Sequence, residues 1–158
     1  MKYPMTQAVR VLRDRNIAFE PHLYSYEERG GTRRSADELR VDEHSVIKTL
    51  VMETDSRDPL IVLMHGDREV STKELARVIG VKTVSPCDPA VAQKHTGYMV
   101  GGTSPLGTRK TLPIYAEKTV FDLTLIYING GKRGFLVSLD PNDLKRALEI
   151  TEVTVAIT

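Results

Sequence analysis

The chain has 158 residues, of which 22 are basic and 21 acidic, so its net charge is +1. This length is typical of one domain that can bury a core without disulfides or metals, and a composition with 41% hydrophobic and 27% charged residues excludes a disordered or fibrous chain. The near-zero charge excludes a protein that binds a polyanion through its bulk charge, so any contact with nucleic acid has to come from local basic clusters.

The N-terminal quarter of the chain predicts two helices separated by an extended segment and a loop. Apolar residues at helical spacing predict a helix over 4–16, and residues 17–24 look extended. The polar segment 27–34 contains two glycines and predicts a mobile surface loop. The pattern Ser35-Ala36-Asp37-Glu38 is typical of a capping box, and it predicts a short helix that ends near Arg40.

The middle of the chain predicts two neighbouring strands and two capped helices. Branched apolar runs over 45–53 and 60–65 are of strand length and are joined by a polar segment. A second capping box begins at Ser71, and its helix is expected to end at Gly80. Asp88 followed by proline predicts the start of another helix, which should end near Gly97.

The C-terminal part predicts strands and one helix. Strands are expected over 112–116, 120–128, 133–139 and 153–157. Asn129-Gly130-Gly131-Lys132 is a hairpin signal between two of these strands, and Asp140-Pro141 predicts a helix start. Hairpin connections outnumber regular strand–helix–strand alternation. The sequence therefore favours an α+β fold in which residues 1–158 form one domain, with helices around a mixed, largely antiparallel sheet.

Lys48 lies within the first long predicted strand. Alternate side chains of a strand share a face, so Lys48 shares the more apolar face with Val46, Leu50 and Met52. An ammonium group in an apolar cavity needs a partner, because burial disfavours its charged form. Two interpretations stand side by side. Lys48 points into a cleft and holds a carbonyl or phosphate oxygen or acts as a base, or its stem packs while its ammonium reaches water.

The segment 97–107, here called the glycine loop, contains four glycines and one proline. Such a loop lets backbone N–H groups approach a ligand closely. Gly102 and Gly107 have the spacing of a nucleotide phosphate loop, but Thr108-Arg109-Lys110 follows where that motif requires lysine and then serine or threonine. Binding of a nucleoside triphosphate is therefore not expected. The loop is interpreted either as one that holds a substrate or as a tight structural turn.

Basic residues cluster at the predicted hairpin tip, 130–134, which carries Lys132 and Arg133. With Arg109 and Lys110 they could form a local phosphate contact, although a charged hairpin tip is more often only solvated. Few aromatic residues lie among these basic residues. This argues against base stacking as the main mode of binding.

Nucleophiles and metal ligands find little support in the sequence. Cys87 is the only cysteine, and the motif around it is not a nucleophile elbow. Ser104 lies among glycines, but the second glycine of the elbow motif is absent there. The four histidines are not spaced as metal ligands, so we expect no metal and no cofactor.

Three segments together resemble the YbaK family of editing domains, which are related to the insertion domain of bacterial prolyl-tRNA synthetase. They are Ile47-Lys48-Thr49-Leu50, the glycine loop and Gly130-Gly131-Lys132-Arg133-Gly134. The resemblance runs in order along nearly the whole chain, including Pro141-Asn142-Asp143-Leu144. The glycine loop is its most specific part.

The resemblance implies which residues form the active site. The key lysine of the family corresponds to Lys48. The loop residues of the family, which surround the aminoacyl group and the terminal adenosine, correspond to Gly101, Gly102, Ser104 and Pro105. Family members use no metal and no covalent enzyme nucleophile.

Three further positions are expected at the same pocket. Tyr24 and Thr49 are placed there by the resemblance and by proximity to the predicted strand. Asp143 could pair with Lys48 or Arg133, or it could simply favour the dipole of its own helix.

The resemblance implies a trans-editing deacylase that removes a mischarged amino acid, cysteine in the first instance, from tRNA(Pro). Alternatives are a deacylase for alanine or serine, and a non-catalytic module that binds an aminoacyl or nucleotide group. The expected partners are aminoacylated tRNA and prolyl-tRNA synthetase. The N-terminus has no apolar signal segment, and no apolar run reaches about 18 residues. We therefore expect a soluble cytoplasmic protein without membrane contact.

Overall fold

The computed structural model describes residues 2–158 as an α+β fold, as predicted. The helices are α1 (Gln7–Asp14), α2 (Gly31–Leu39), α3 (Thr72–Ile79), α4 (Pro89–Thr96) and α5 (Leu144–Ala147). The strands are β1 (Glu20–Leu23), β2 (Ile47–Thr54), β3 (Pro59–His65), β4 (Glu69–Val70), β5 (Val84–Pro86), β6 (Ile114–Glu117), β7 (Ile126–Lys132), β8 (Phe135–Leu139), β9 (Ile150–Val153) and β10 (Ala156–Ile157). Short 3-10 turns cover Glu43–Ser45, Lys118–Asp122 and Pro141–Asp143.

The strands form a five-stranded sheet in the order β5-β2-β3-β6-β9, a three-stranded sheet in the order β1-β8-β7, and the two-stranded ribbon β10-β4. In the five-stranded sheet β2 is antiparallel to β3 and β5, whereas β3-β6 and β6-β9 are parallel. All pairs in the other two sheets are antiparallel. A bridge between Val46 and Tyr127 joins the start of β2 to β7. The prediction of a mixed, largely antiparallel sheet is confirmed.

Both faces of β3 are buried, so its run Leu60–Met64 is apolar without alternation. Ile61 and Leu63 belong to the cluster shared with α1, β7 and β8, whereas Val62 and Met64 pack with residues of α3. The five-stranded sheet therefore lies between the three-stranded sheet with α1 on one side and α3 with the ribbon β10-β4 on the other. Complete burial of such side chains is the main stabilising term of the fold.

The predicted starts and ends of two helices, α3 and α4, are confirmed. Ser71 Oγ accepts the N–H of Glu74 at 3.2 Å, and Gly80 ends α3 at φ +88°. Asp88 precedes α4, whose first residue is a proline, and Gly97 ends it at φ +81°. In both helices a positive φ at the C-terminal glycine lets the chain turn away.

The predicted start of the second helix is wrong. Helix α2 begins at Gly31, four residues before Ser35, so part of the predicted loop is helical. Ser35 is 2% exposed, and its hydroxyl donates to the Thr32 carbonyl at 3.1 Å. A hydroxyl bonded to the preceding turn cannot cap a helix start. The predicted end near Arg40 is confirmed.

The predicted turn of the hairpin is displaced. Strand β7 runs through Lys132, and the turn lies at Arg133 and Gly134. Residues 129–132 form an irregularity within β7, because Asn129 Oδ1 accepts the N–H groups of Gly131 at 2.7 Å and Lys132 at 3.1 Å. The strand predicted over 120–128 begins only at residue 126, since Lys118–Asp122 is a 3-10 turn. The predicted closing strand is divided between β9 and β10.

A buried histidine joins the end of β3 to the turn before β2. His65 is 1% exposed, and its ring is stacked on that of His44 with a centroid distance of 3.7 Å. Its Nδ1 donates to the His44 carbonyl at 2.8 Å, which leaves Nε2 to accept from Thr119 Oγ1 at 2.7 Å. Burial lowers the pKa of His65, so the folded state holds it neutral.

No helix in residues 2–158 is long and apolar enough to cross a membrane.

We expect His65 to make folding pH-dependent. In the unfolded chain its pKa is near 6.5, and in the folded state it is lower. Below about pH 6.5 the unfolded state therefore takes up a proton that the folded state does not, and the free energy of unfolding falls with falling pH. His65→Asn keeps a donor at the Nδ1 position but does not titrate. Urea unfolding from pH 7.5 to pH 5 should show a shallower decline for this variant, and an equally steep decline would contradict the assignment.

Candidate functional site

The first half of β2 has an open edge. Strand β5 pairs with β2 only over residues 52–54, whereas β3 pairs with its whole length up to residue 53. A cavity of about 490 Å³ lies along this edge, and each residue from 47 to 51 lines it. Neighbouring side chains of a strand point to opposite faces. Five consecutive lining residues therefore mean that β2 presents its edge, including backbone groups, to the cavity.

Thr49 lines this cavity, and its backbone groups face it. The Cys87 N–H donates to the Val51 carbonyl across the same edge at 3.1 Å. In an antiparallel strand the backbone groups of every second residue point the same way, so those of Thr49 also face the cavity side. Its Oγ1 is the one buried side-chain nitrogen or oxygen of residues 2–158 without a hydrogen-bond partner. Leaving a buried hydroxyl unpaired costs about 1–3 kcal/mol, so Oγ1 is a polar group of β2 for which the folded chain provides no partner.

Lys48 lines the same cavity, and its side chain is 17% exposed. Its Nζ lies 3.3 Å from Oε1 of Glu69, whose side chain is 73% exposed. An ion pair with such a solvated partner contributes little, so Lys48 can exchange Glu69 for a ligand oxygen at small cost. Lys48 lines the cavity, as the first interpretation requires, but its contact with a ligand stays a prediction. The stem of Lys48 is packed, and its ammonium has a solvated carboxylate as partner.

Asn129 connects the glycine loop to the hairpin of β7 and β8. Its Nδ2 donates to the Gly101 carbonyl at 3.0 Å, while its Oδ1 accepts the two N–H groups of the β7 irregularity. Asn129 also lines the cavity. One side chain thus sets both the shape of β7 and the position of the glycine loop.

Gly101 and Gly102 lie closer to neighbouring groups than a side chain would allow. Gly101 has φ +88°, and a Cβ atom there would lie 2.5 Å from Oη of Tyr26. At Gly102 a Cβ atom would lie 2.8 Å from the backbone nitrogen of Arg133. Arg133 lies over the Tyr26 ring at 5.2 Å and donates from Nε to the Val100 carbonyl at 2.8 Å. The glycine loop is therefore held between the Tyr26 ring and the backbone of the hairpin at Arg133.

The first turn of α2 and the residues before it form a further wall of the cavity. Thr32 Oγ1 donates to Glu43 Oε2 at 2.8 Å, which ties this wall to the turn before β2. Arg34 donates from Nε to the Ser25 carbonyl at 3.1 Å and pairs with Glu27 at 3.5 Å. This wall therefore brings charges of both signs to the cavity.

The side chains of Cys87 and Ser104 are poor nucleophiles. Cys87 lines the cavity, but burial and the neighbouring Glu53 carboxylate raise the pKa of its thiol to about 11. It is therefore protonated at neutral pH and weakly reactive. Ser104 is fully buried, and its Oγ accepts the N–H of Leu106 at 3.1 Å. No group of three or more His, Cys, Asp or Glu residues within 2–158 could hold a metal ion.

Five of the predicted site residues line the cavity together: Tyr24, Lys48, Thr49, Gly101 and Arg133. They come from four separate segments of the chain, which the sheets bring to one place. Burial raises the pKa of Tyr24, so its phenol is a neutral hydrogen-bonding group at physiological pH.

Three predicted loop residues do not line this cavity. Ser104 and Pro105 are buried inside the loop, where they shape its turn. Gly102 lines a second, smaller cavity of about 260 Å³. The prediction that all four loop residues form one wall is therefore corrected, because the loop separates two cavities.

The predicted pairing of Asp143 with Lys48 or Arg133 is wrong. Asp143 lies in the turn before α5 and forms an ion pair with Arg146 at 3.5 Å. The carboxylate beside Lys48 belongs to Glu69 instead. Asp143 thus fits the second interpretation, an acidic residue that stabilises its own helix.

The predicted phosphate-contacting residues are all exposed and form two groups. Lys132 and Arg133 lie at the end of β7 and in the following turn. Arg109 and Lys110 are fixed beside the end of α4, where their backbone N–H groups donate to residues 96 and 95. The side chain of Lys110 lies 3.1 Å from Nδ1 of His95.

Sequence reasoning missed Asn129 and Tyr26 as site residues. The run Asn129-Gly130-Gly131 had been assigned to the turn itself. An asparagine before two glycines also commonly accepts N–H groups two and three residues ahead, and this signal could have identified it. Tyr26 carries no local signal, since its role depends on its contact with Gly101 and Arg133, both distant in sequence.

A family model described as the aminoacyl-tRNA editing domain matches residues 28–147, which include β2, the glycine loop and the hairpin. A candidate Cys-tRNA(Pro)/Cys-tRNA(Cys) deacylase of Enterococcus faecalis is 28% identical over 137 residues, which are 86% of this chain and 84% of that protein. A proline–tRNA ligase of Listeria welshimeri is 26% identical over 114 residues, or 72% of this chain. The match covers only 19% of that ligase.

Solved structures share the fold. A candidate trans-editing enzyme for prolyl-tRNA synthetase superposes with a TM-score of 0.84 at 17% identity, with all of both chains covered. A hypothetical protein superposes with a TM-score of 0.87 at 18% identity, covering 96% of this chain and 99% of its own. At these identities the likeness establishes the arrangement of helices and strands.

We expect Asn129→Ala to loosen the glycine loop. Three hydrogen bonds are lost, and the free energy of unfolding should fall by roughly 1–2 kcal/mol, about that of one or two net hydrogen bonds. Amide hydrogen exchange should accelerate over residues 99–104. Asn142→Ala, which alters an exposed asparagine outside the site, serves as the control. Unchanged exchange in the loop of the Asn129 variant would contradict its positioning role.

Proposed function

We propose, because the chain belongs to the aminoacyl-tRNA editing domain family, that it deacylates mischarged aminoacyl-tRNA in the cavity beside β2. The observation that carries this proposal is the position of Lys48, Thr49 and Gly101 around one cavity. Its volume lies within the range of about 300–1,000 Å³ that is usual for small-molecule sites. A cavity of this size can take the aminoacyl end of a tRNA.

The chemistry needs orientation more than a strong nucleophile. An aminoacyl ester is already activated, so the site has to position it and stabilise the negative charge that develops on the carbonyl oxygen. In this proposal Lys48 and backbone N–H groups at the β2 edge or the glycine loop do this. The Thr49 hydroxyl would hold the α-amino group or the ester oxygen.

The attacking group is proposed to come from the substrate or from water. In a cysteinyl ester the substrate sulfur attacks the carbonyl carbon, the bond to the ribose oxygen breaks, and that oxygen receives the thiol proton. The products are a cyclic thiolactone and the free tRNA. With alanine or serine a water molecule would attack in the same place. The protonated Cys87 and the buried Ser104 are consistent with either route.

Cysteine is the proposed first substrate, with alanine and serine as alternatives. A pocket separates amino acids that differ by one methylene by only about 1–3 kcal/mol, so a thiol that takes part in the reaction is a sharper filter than size. The name of the Enterococcus relative supports this preference. Deacylation of cysteinyl-, alanyl- and prolyl-tRNA(Pro) by the chain decides it. Binding without turnover of any of them would favour the non-catalytic module.

We further propose that tRNA selection depends on a partner. A chain with net charge +1 should bind free tRNA weakly and with steep salt dependence. The likeness to part of proline–tRNA ligases supports prolyl-tRNA synthetase as that partner and the cytoplasm as the site of action. Arg109, Lys110, Lys132 and Arg133 would contact the phosphates of the acceptor end.

We expect Lys48→Ala to lower kcat/KM for deacylation by about 10²–10³, as for the loss of a group that stabilises an oxyanion. Single-turnover assays with cysteinyl-tRNA(Pro) measure this. The matched control is Glu69→Gln, which removes the carboxylate next to Lys48. Because a solvated ion pair contributes little, its kcat/KM should change by less than about threefold. Near-full activity of Lys48→Ala would refute the role of this lysine.

Thr49 should show opposite effects on stability and activity. Thr49→Val removes a buried hydroxyl that has no partner, so the free energy of unfolding should stay the same or rise by about 1 kcal/mol. The same change should lower kcat/KM about tenfold if the hydroxyl bonds the substrate. Thr49→Ser keeps the hydroxyl and should retain most activity. A valine variant that is both fully active and more stable would exclude this contact.

A further inference from the structure

A second cavity of about 260 Å³ lies beside the first. Arg133 lines both cavities, whereas Gly101 lines the larger one and Gly102 the smaller one. The close approach of Gly102 to the backbone of Arg133 closes the space between them. A bound ligand that extends from the first cavity along the glycine loop therefore reaches the second cavity.

The second cavity carries an excess of positive charge. Lys132 and Arg133 line it and are exposed, and Arg109 packs against Gly97 in its wall, with Nε 3.9 Å from where a Cβ atom would be. No carboxylate within residues 2–158 forms an ion pair with any of these three cations. In a protein with net charge +1, three neighbouring cations without counter-charges favour an anion.

The remaining wall is apolar and preformed. The Tyr98 ring is buried, and its hydroxyl donates to the Leu106 carbonyl at 2.6 Å. Met99 is 52% exposed beside it. An apolar surface next to cations is a usual setting in which single-stranded nucleic acid is held, and here Met99 provides the exposed apolar group. The cavity is smaller than the usual small-molecule site of about 300–1,000 Å³, which suits one nucleotide unit.

We infer that the second cavity binds the phosphodiester group directly preceding the aminoacylated nucleoside, with Lys132 as its ligand. This inference rests on the proposed function, since it presumes that the aminoacyl end occupies the first cavity. The nucleoside attached to that phosphate lies against Tyr98 and Met99. The two cavities together fix the direction of the strand, because only one order of nucleotides places the ester beside Lys48.

The test uses three substrates that carry the same amino acid on nucleic acids of increasing length. Aminoacyl-adenosine has no phosphate, an aminoacyl-dinucleotide has one phosphodiester before the aminoacylated nucleoside, and aminoacyl-tRNA has the complete acceptor end. The kcat/KM of each is measured with the wild type and with Lys132→Ala. Arg133 is left unchanged because it also supports the first cavity.

For Lys132→Ala we expect a loss in kcat/KM of roughly five- to tenfold with the dinucleotide and with tRNA, as for one charge-assisted contact. With aminoacyl-adenosine the variant should equal the wild type. The slope of log kcat/KM against log salt for tRNA should become shallower by about 0.7, the value for one phosphate contact on a single strand.

Lys73→Ala is the matched control, since it removes the same charge from an exposed position in α3. It should leave all three substrates unaffected. A loss for Lys132→Ala that is equal across the three substrates, that appears only with tRNA, or that Lys73→Ala reproduces would overturn the inference. Absence of turnover of every substrate by the wild type would instead refute the proposed function, so the two failures are distinguishable.

Discussion

The incomplete pairing of β2 is the constraint on which the rest of the site depends. A strand inside a sheet normally has partners along both edges, and an uncovered edge leaves backbone groups that need hydrogen bonds. Here β5 covers only the end of β2, and the uncovered part becomes one wall of the cavity. The other walls are segments that approach this edge without forming a continuous ladder with it, since only isolated contacts such as the Cys87–Val51 hydrogen bond join them to it. The site is therefore a gap in the sheet that a ligand can complete.

The walls around this gap are fixed by a few long-range contacts. Asn129 holds the glycine loop through Gly101, and Arg133 holds it through Val100 while lying over Tyr26. These contacts connect β7, the loop and the segment before α2. Because Asn129 and Arg133 each contact a segment other than their own, the shape of the cavity depends on several elements together. Preorganisation of this kind lowers the cost of ordering a bound substrate.

Much of the fold could be predicted from local patterns, because local interactions determine it. The sequence predicts the caps of α3 at Ser71 and Gly80 and the apolar run of β3. At these positions local conformational propensity and burial favour the same structure. The start of α2 was misplaced because Ser35 bonds backward to Thr32, a choice that depends on packing. The motifs that carry the family resemblance predict Lys48, Thr49 and Gly101 at one pocket, and all three line the cavity, while their roles in the reaction stay predictions. The second cavity and Tyr26 could not be found, since they arise where distant segments meet.

Thr49 and Asn129 both line the cavity and are 80 residues apart in the chain. Contacts of such long sequence separation form late in folding, because the loop between them must first lose its freedom. During synthesis the residues of β2 leave the ribosome long before those of the glycine loop and β7, which later cover its edge. A nascent or partly unfolded chain consequently exposes an unpaired strand edge without a pocket. When β7 and the glycine loop reach β2, the pocket forms and the strand edge is covered. The chain thus gains its deacylating ability and its protection from aggregation at that edge in the same step.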